Sequence, residues 1–233
     1  MTNEHDQPAE DDELPHSVPI ARAINEAIDV TAWIGATRPK ELRLYPEADA
    51  KTKSAVTFFL IAIDHAEALP CLIRFGYRSS AFALLRPAMD AYFYGLWIQV
   101  CQDDQLKRFA ERGVLPSVEQ AVATFDKSVE AGLRDLKNDL YRALDDYVHG
   151  GWTQLQAWSK DQTSIEQSHS DSDTVNLMAI NDLFRLAACV ELMKITGDSG
   201  ASEASDSLVK RLMERLPPLT GESLGYRERP TPP

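Results

Sequence analysis

Arg142 and His149 stand seven positions apart in the stretch Leu140-Tyr-Arg-Ala-Leu-Asp-Asp-Tyr-Val-His-Gly-Gly151. Seven residues is close to two turns of an α-helix, so a helix here puts both side chains on one face. A guanidinium holds a phosphodiester and offsets charge that develops on its oxygens. An imidazole exchanges a proton with a neighbouring hydroxyl or leaving oxygen. Asp145 and Asp146 fall within one turn of one cation or the other, and Gly150-Gly151 ends the helix just past the imidazole. Asp145, four residues before His149, and the helix C-terminus both favour the imidazolium. Two readings stay open on these residues alone. One is a stripe that binds and cleaves a phosphodiester; the other is a salt-bridged helix end, with His149 on the last carbonyls and Arg142 paired to Asp146.

Arg86 and Asp90 form a second pair, four residues apart on a segment with little other polar surface. A charge drawn out of water there needs a partner. The pair reads either as a self-contained bridge near backbone opened by Pro87, or as support placed beside Arg142 and His149. Tyr92, Phe93, Tyr94 and Trp97 read as core, with the floor of a small-ligand pocket as the alternative. His65-Ala-Glu67 followed by Pro70-Cys71 superficially matches a zinc deaminase signature, but Arg74 occupies the place of its second cysteine. Metalloprotease, nucleophile-elbow, phosphate-loop and calcium-loop motifs do not occur, and neither a metal nor a cofactor is implied.

The elements that must position these residues are helical almost throughout. From Ser17, Ile20, Ala23, Ile24, Ala27 and Ile28 recur at helical spacing, the mark of an amphipathic first helix. A connector over 39–46 leads to a long apolar helix over 49–75, with Pro70 as a point of bending. The next helix, over about 77–102, has Ser79 or Ser80 at its beginning or early in it, is apolar nearly all round and is expected to be the most buried element. Asp103 and Asp104 open a short helix to Gly113. Ser117 and Gln120 fit a capping box for a helix to about Gly132, and residues 133–150 carry the Arg142/His149 face, with Trp152, Leu155 and Trp158 as an extension. The polar stretch 159–172 reads as a long loop, either a lid or disordered. Asp173 is expected to cap a strong helix ending at Lys194 and Gly197, and 202–216 a last amphipathic helix. The expectation is an all-α, up-and-down bundle of about five to eight helices in one domain over 17–216. It is flanked by a disordered acidic tail at 1–16 and a disordered Pro-rich tail at 217–233.

Composition sets the outer limits. The chain of 233 residues, 44% apolar, is long enough to bury a full core. Its net charge is −12, and six of the 36 acids lie in residues 1–14, leaving 30 against 24 bases, or −6, in the remainder. Such a field disfavours unspecific nucleic-acid binding, so no DNA partner is expected, although a local basic cleft can survive in it. Cys71, Cys101 and Cys189, expected in apolar surroundings, have no metal spacing and point to a reducing compartment. The start lacks a basic, apolar leader, and charged residues interrupt 55–101, so the expectation is a cytoplasmic protein with no membrane partner.

With these residues in place, the chain resembles the HEPN superfamily, helical bundles of bacterial defence, toxin–antitoxin and stress systems. Their signature is Arg, four to six residues, then His. Arg142 and His149 match it at the upper spacing, and the segments Ser80 to Asp90 and Tyr147-Val-His-Gly-Gly151 resemble uncharacterised bacterial relatives of that group. The resemblance covers about residues 17–196. It implies metal-independent RNA cleavage at the interface of a homodimer, with Arg142 and His149 catalytic and Asp145, Asp146, Arg86 and Asp90 in support. Ala143 departs from the polar residue that active members carry after the Arg. The resemblance also admits a noncatalytic relative that works with a protein partner, beside the separate reading of a small-ligand bundle.

Overall fold

The computed structural model of the chain describes residues 17–37, 48–129, 133–149, 169–197, 212, 214 and 216–226. Among them are seven α-helices and no strand: α1 (Val18–Thr37), α2 (Ala50–Arg74), α3 (Arg78–Val100), α4 (Asp103–Arg112), α5 (Val118–Val129), α6 (Leu133–Val148) and α7 (Asp171–Thr196), followed by a 3₁₀ turn at Gly221–Leu224. The expected all-α bundle is therefore present. The expected connector at 39–46, the extension of α6 through Trp158, most of the polar loop and the helix over 202–211 lie outside the described residues.

Local signals set several helix starts. Asp49 accepts the Thr52 amide at 2.7 Å and caps α2. Ser117 and Gln120 exchange two bonds, of 3.1 and 3.2 Å, at the start of α5, as the capping-box spacing predicts. Helix α3 begins at Arg78 after Tyr77, with no side-chain cap, so Ser79 and Ser80 lie early in it, within the expected span of 77–102. One expected start differs. Helix α7 is capped by Ser170, whose hydroxyl accepts the Asp173 amide at 3.0 Å. Asp173 instead sits in the first turn, where a carboxylate favours the positive end of the helix dipole.

Helices α2 and α3 form an antiparallel hairpin, and α3 also packs on α5, α6 and α7. Helix α2 lies against α7 as well, and α1 closes the far side of α7. The α2/α3 approach is close at Gly95, where an added Cβ would come within 2.6 Å of the Phe59 ring, so a side chain there would push the hairpin apart. Buried residues make up 12 of the 23 in α3 and 14 of the 26 in α7, so α7 shares the centre that α3 was expected to hold alone. Phe93 and Phe184, and Tyr92 and Phe184, meet edge to face at 5.9 and 5.5 Å, which places the aromatic cluster in the packed core.

By length and composition, α2 is the one described helix able to cross a membrane; it packs along α3 and α7. Cys101 and Cys189 are buried, but Cys71 is exposed, because it points away from the face of α2 that buries Leu69 and Ile73. The Pro-rich tail is also not wholly without packing. Leu224 is fully buried, and its carbonyl accepts the Tyr147 hydroxyl at 3.3 Å. Leu219 and Tyr226 pack against the core beside it, and Asn176 donates to the Ser223 carbonyl at 2.9 Å; no periodic pattern announces these contacts.

Candidate functional site

Helix α6 buries Leu140, Tyr141, Ala143, Leu144 and Tyr147. At 100° per residue, Arg142 and His149 lie diametrically opposite this stripe. Both are exposed, and the His149 amide donates to the Asp145 carbonyl at 3.0 Å, carrying helical bonding one residue past Val148. The two candidate catalytic residues thus share one solvent-exposed face of α6. Ala143, next to Arg142 in the chain, is fully buried, so a polar side chain here would enter the core and not the exposed face.

The two supporting acids behave differently from the pattern drawn from sequence. Asp145 does not serve His149 or Arg142 through its carboxylate. It lies at the edge of α6 that faces α3, where Arg86 reaches it: Arg86 Nη1 and Asp145 Oδ1 meet as an ion pair and have no further polar partner. Asp146, half-buried, stands on the other flank of the exposed face. Arg86 Nε also lies 3.2 Å from Asp90 Oδ1, so the expected bridge within α3 exists and is extended across to α6. The guanidinium sits 4.1 Å from the centre of the Tyr141 ring, and the Tyr141 hydroxyl donates to the Asp90 carboxylate. Burial, then the Asp90 charge, pushes the Tyr141 hydroxyl well above the usual tyrosine range, so it remains a donor. Tyr94, on the next turn of α3 from Asp90, donates to the Pro116 carbonyl at 3.0 Å and is raised chiefly by burial. One arginine, two carboxylates and a tyrosine therefore clasp α3 to α6 beneath that face.

A second polar constellation escaped sequence reasoning. His169, just before α7, is 6% exposed and stacks on Phe82 at 4.4 Å. Its Nε2 lies 3.1 Å from the Ser79 hydroxyl and its Nδ1 3.5 Å from the Tyr147 hydroxyl. Since Tyr147 donates to Leu224, the consistent assignment has Nδ1–H donating to Tyr147 and Nε2 accepting from Ser79. Burial, then the Arg78 charge, lowers its pKa from 6.5 to about 4, so the ring is neutral. Arg78 itself donates to the His169 carbonyl at 2.9 Å and pairs with Asp171 at 3.3 Å. His169 lies 90 residues from Ser79 and 22 from Tyr147, separations that no local pattern reveals.

A polar cleft of about 1210 Å³ opens elsewhere, between the end of α3, α4, α5 and the start of α6. Its Asp126 carboxylate is committed to the Leu133 and Arg134 amides at 2.8 and 2.7 Å, where it caps α6. His65, Glu67 and Cys71 share α2, and among the described residues no three His, Cys, Asp or Glu side chains converge as a metal site.

These features define a helical-bundle protein with an exposed Arg/His face over a charged clasp. Residues 59–218 match DUF6988, a family of unknown function, and the chain belongs to that family. No curated protein and no solved structure matches it.

Proposed function

We propose that this chain is a HEPN-like helical protein that acts on RNA phosphodiesters through Arg142 and His149, without a metal ion. The observation that carries the reading is the joint exposure of the two side chains on one face of α6. In this reading the Asp145 carboxylate, paired with Arg86, supports the clasp to α3 and takes no part in the chemistry. Arg142 holds the scissile phosphate and offsets the charge of its oxygens. His149 exchanges a proton with the 2′-hydroxyl or the leaving oxygen. One such pair does not supply every proton transfer, so a second copy of the chain, related by a twofold axis, completes the site. Such an activity fits a cytoplasmic toxin or defence protein of the bacterial systems in which HEPN proteins work.

Both residues lie on the surface, so Arg142→Ala and His149→Ala are each expected to leave thermal stability within about 0.5 kcal/mol of wild type. Each is expected to abolish RNA cleavage or toxicity on expression. Loss of folding in either variant would return the pair to a structural role. Wild type that neither cleaves varied RNAs nor harms the cell would shift the assignment to a noncatalytic interaction protein. The buried Ala143 is the observation on that side. The small-ligand reading has less behind it, because the core aromatics pack on one another.

A further inference from the structure

The segment 216–226 packs across two helices, α6 and α7, that make little direct contact with each other among the described residues. Both rest instead on its 3₁₀ turn, Gly221–Leu224. From α7, Asn176 donates to the Ser223 carbonyl at 2.9 Å; from α6, the Tyr147 hydroxyl donates to the Leu224 carbonyl at 3.3 Å. Leu224 has no exposed surface, and Leu219 and Tyr226 pack against the core beside it. The turn also holds its own shape, since the Thr220 carbonyl accepts both the amide and the hydroxyl of Ser223, at 3.2 and 2.6 Å. Gly225 then turns the chain with a φ of 78°, and a Cβ there would stand 2.9 Å from Asp173 Oδ2. Only glycine passes α7 in this way.

The bonds that end on this segment run in one direction. Ser79, at the start of α3, donates to His169 Nε2 at 3.1 Å, His169 Nδ1–H to the Tyr147 hydroxyl at 3.5 Å, and Tyr147 to Leu224. The Leu224 carbonyl is the last acceptor of the chain, and without it the buried Tyr147 hydroxyl loses the partner for its proton. Tyr147 stands in the last turn of α6, two residues before His149, whose amide reaches back to the Asp145 carbonyl. A final turn keeps only part of its backbone bonding and frays unless side chains hold it. Tyr147 is such a side chain, and the segment holds Tyr147 from the inner side. With one fully buried side chain and two bonds from α6 and α7, the segment opens at lower cost than the core helices. Most of it lies past residue 218, where the match to the family ends.

We propose that residues 216–226 are a detachable strap on the end of α6. Docked, the strap keeps His149 on the same face as Arg142; released, it lets the last turn of α6 fray and so disables the site. The effect on activity rests on the RNA reading above, whereas the effect on α6 does not. The test uses the full chain. Leu224→Asp puts a carboxylate into the buried seat of the strap. Gly225→Val is milder: it drives a branched side chain towards Asp173 from a backbone conformation that valine disfavours. Neither variant alters α6 itself.

Amide hydrogen exchange reads the strap and α6 separately. Exchange is expected to quicken by about tenfold or more at residues 223–226 and at 145–149, while α2, α3 and α7 exchange as in wild type. RNA cleavage should fall with it. A strap that exchanges as in wild type in both variants overturns the proposal, and so does a quickened strap over an unchanged α6. Where Leu224→Asp unfolds the chain, Gly225→Val decides; quickening throughout the protein in that variant too would make the segment part of the core and overturn the strap. Full cleavage with α6 loosened overturns its hold on the site. Loosening of α6 alone, in a protein whose wild type leaves RNA intact, upholds the strap and removes the cleavage reading.

Discussion

At the scale of single residues, the sharpest consequence of burial falls on His169. Its pKa is about 4 in the folded chain and 6.5 as a free side chain, with burial as the main cause and Arg78 as the second. Above pH 6.5 both folded and unfolded states hold it neutral, and its contribution to stability does not vary. As the pH falls through 6.5 the unfolded chain takes up the proton first, so stability drops, and the drop levels off only near pH 4. A shift of this size corresponds to roughly 3 kcal/mol lost across the window. Urea melts of wild type and His169→Gln at several pH values between 7 and 4 measure it, because glutamine retains a polar side chain but does not titrate. The expected result is a wild-type profile that falls more steeply, by about that amount; superimposable profiles would mean that His169 is not held neutral by its surroundings. Nothing in the sequence exposes this residue. Arg78 and Ser79 at the start of α3 and Tyr147 near the end of α6 come to it from two other places in the chain, whereas Arg142 and His149 are legible because one helix carries both.

Between elements, the main polar link is the clasp of α3 to α6. The pair Arg86/Asp90 was readable from its spacing on an apolar helix, but its reach to Tyr141 and Asp145 was not, since it depends on how two helices pack. The same division runs through the fold. Helical periodicity and the capping box at Ser117 and Gln120 mark α1 to α6 closely, while the Ser170 cap and the burial of Leu224 depend on contacts or choices that periodicity does not encode. The side chains of Arg86 and Asp90 are 21% and 28% exposed, intermediate between a surface bridge and a sealed one. Replacing one carboxylate leaves the guanidinium the other, so Asp90→Asn and Asp145→Asn are each expected to cost about 1–2 kcal/mol. Replacing both leaves it with no counter-charge, only amide oxygens and the Tyr141 ring, and the double variant should cost about 1 kcal/mol more than the sum of the two singles. A double-mutant cycle by denaturant melts reads this coupling directly. Strict additivity would mean that the two acids do not share Arg86 in solution.

For the molecule as a whole, the organising contact is the one that fastens α1 to the rest. Helix α1 precedes the span matched to the family, whereas α7, on which it packs, lies inside that span. Arg185 of α7 has no exposed side-chain surface; it donates to the Ala27 carbonyl at 2.8 Å, to the Thr31 hydroxyl at 2.7 Å and to Asp182 at 2.8 Å. One turn earlier, Asn181 donates to the Ala66 carbonyl of α2 at 2.9 Å, so a polar seam on α7 fixes the helices on either side of it. The seam is not fully satisfied: Arg185 Nε and Asn181 Oδ1 are buried without a hydrogen-bond partner. Taking an ion pair out of water costs much of what the pair returns, so its use is expected to lie in the placement of α1 more than in net stability. Removing one partner is a different matter, because it strands a charge. Asp182→Leu is therefore expected to destabilise the chain by about 3–5 kcal/mol, and Asp182→Leu/Arg185→Met to recover most of that loss. Amide exchange should then separate stability from placement: in the double variant, protection is expected to return across α2, α3 and α7 but to stay lower in α1, which has lost its bonds to Ala27 and Thr31. Full protection of α1 in that variant would assign its position to the apolar contacts of Ile20, Ile24 and Ile34 instead.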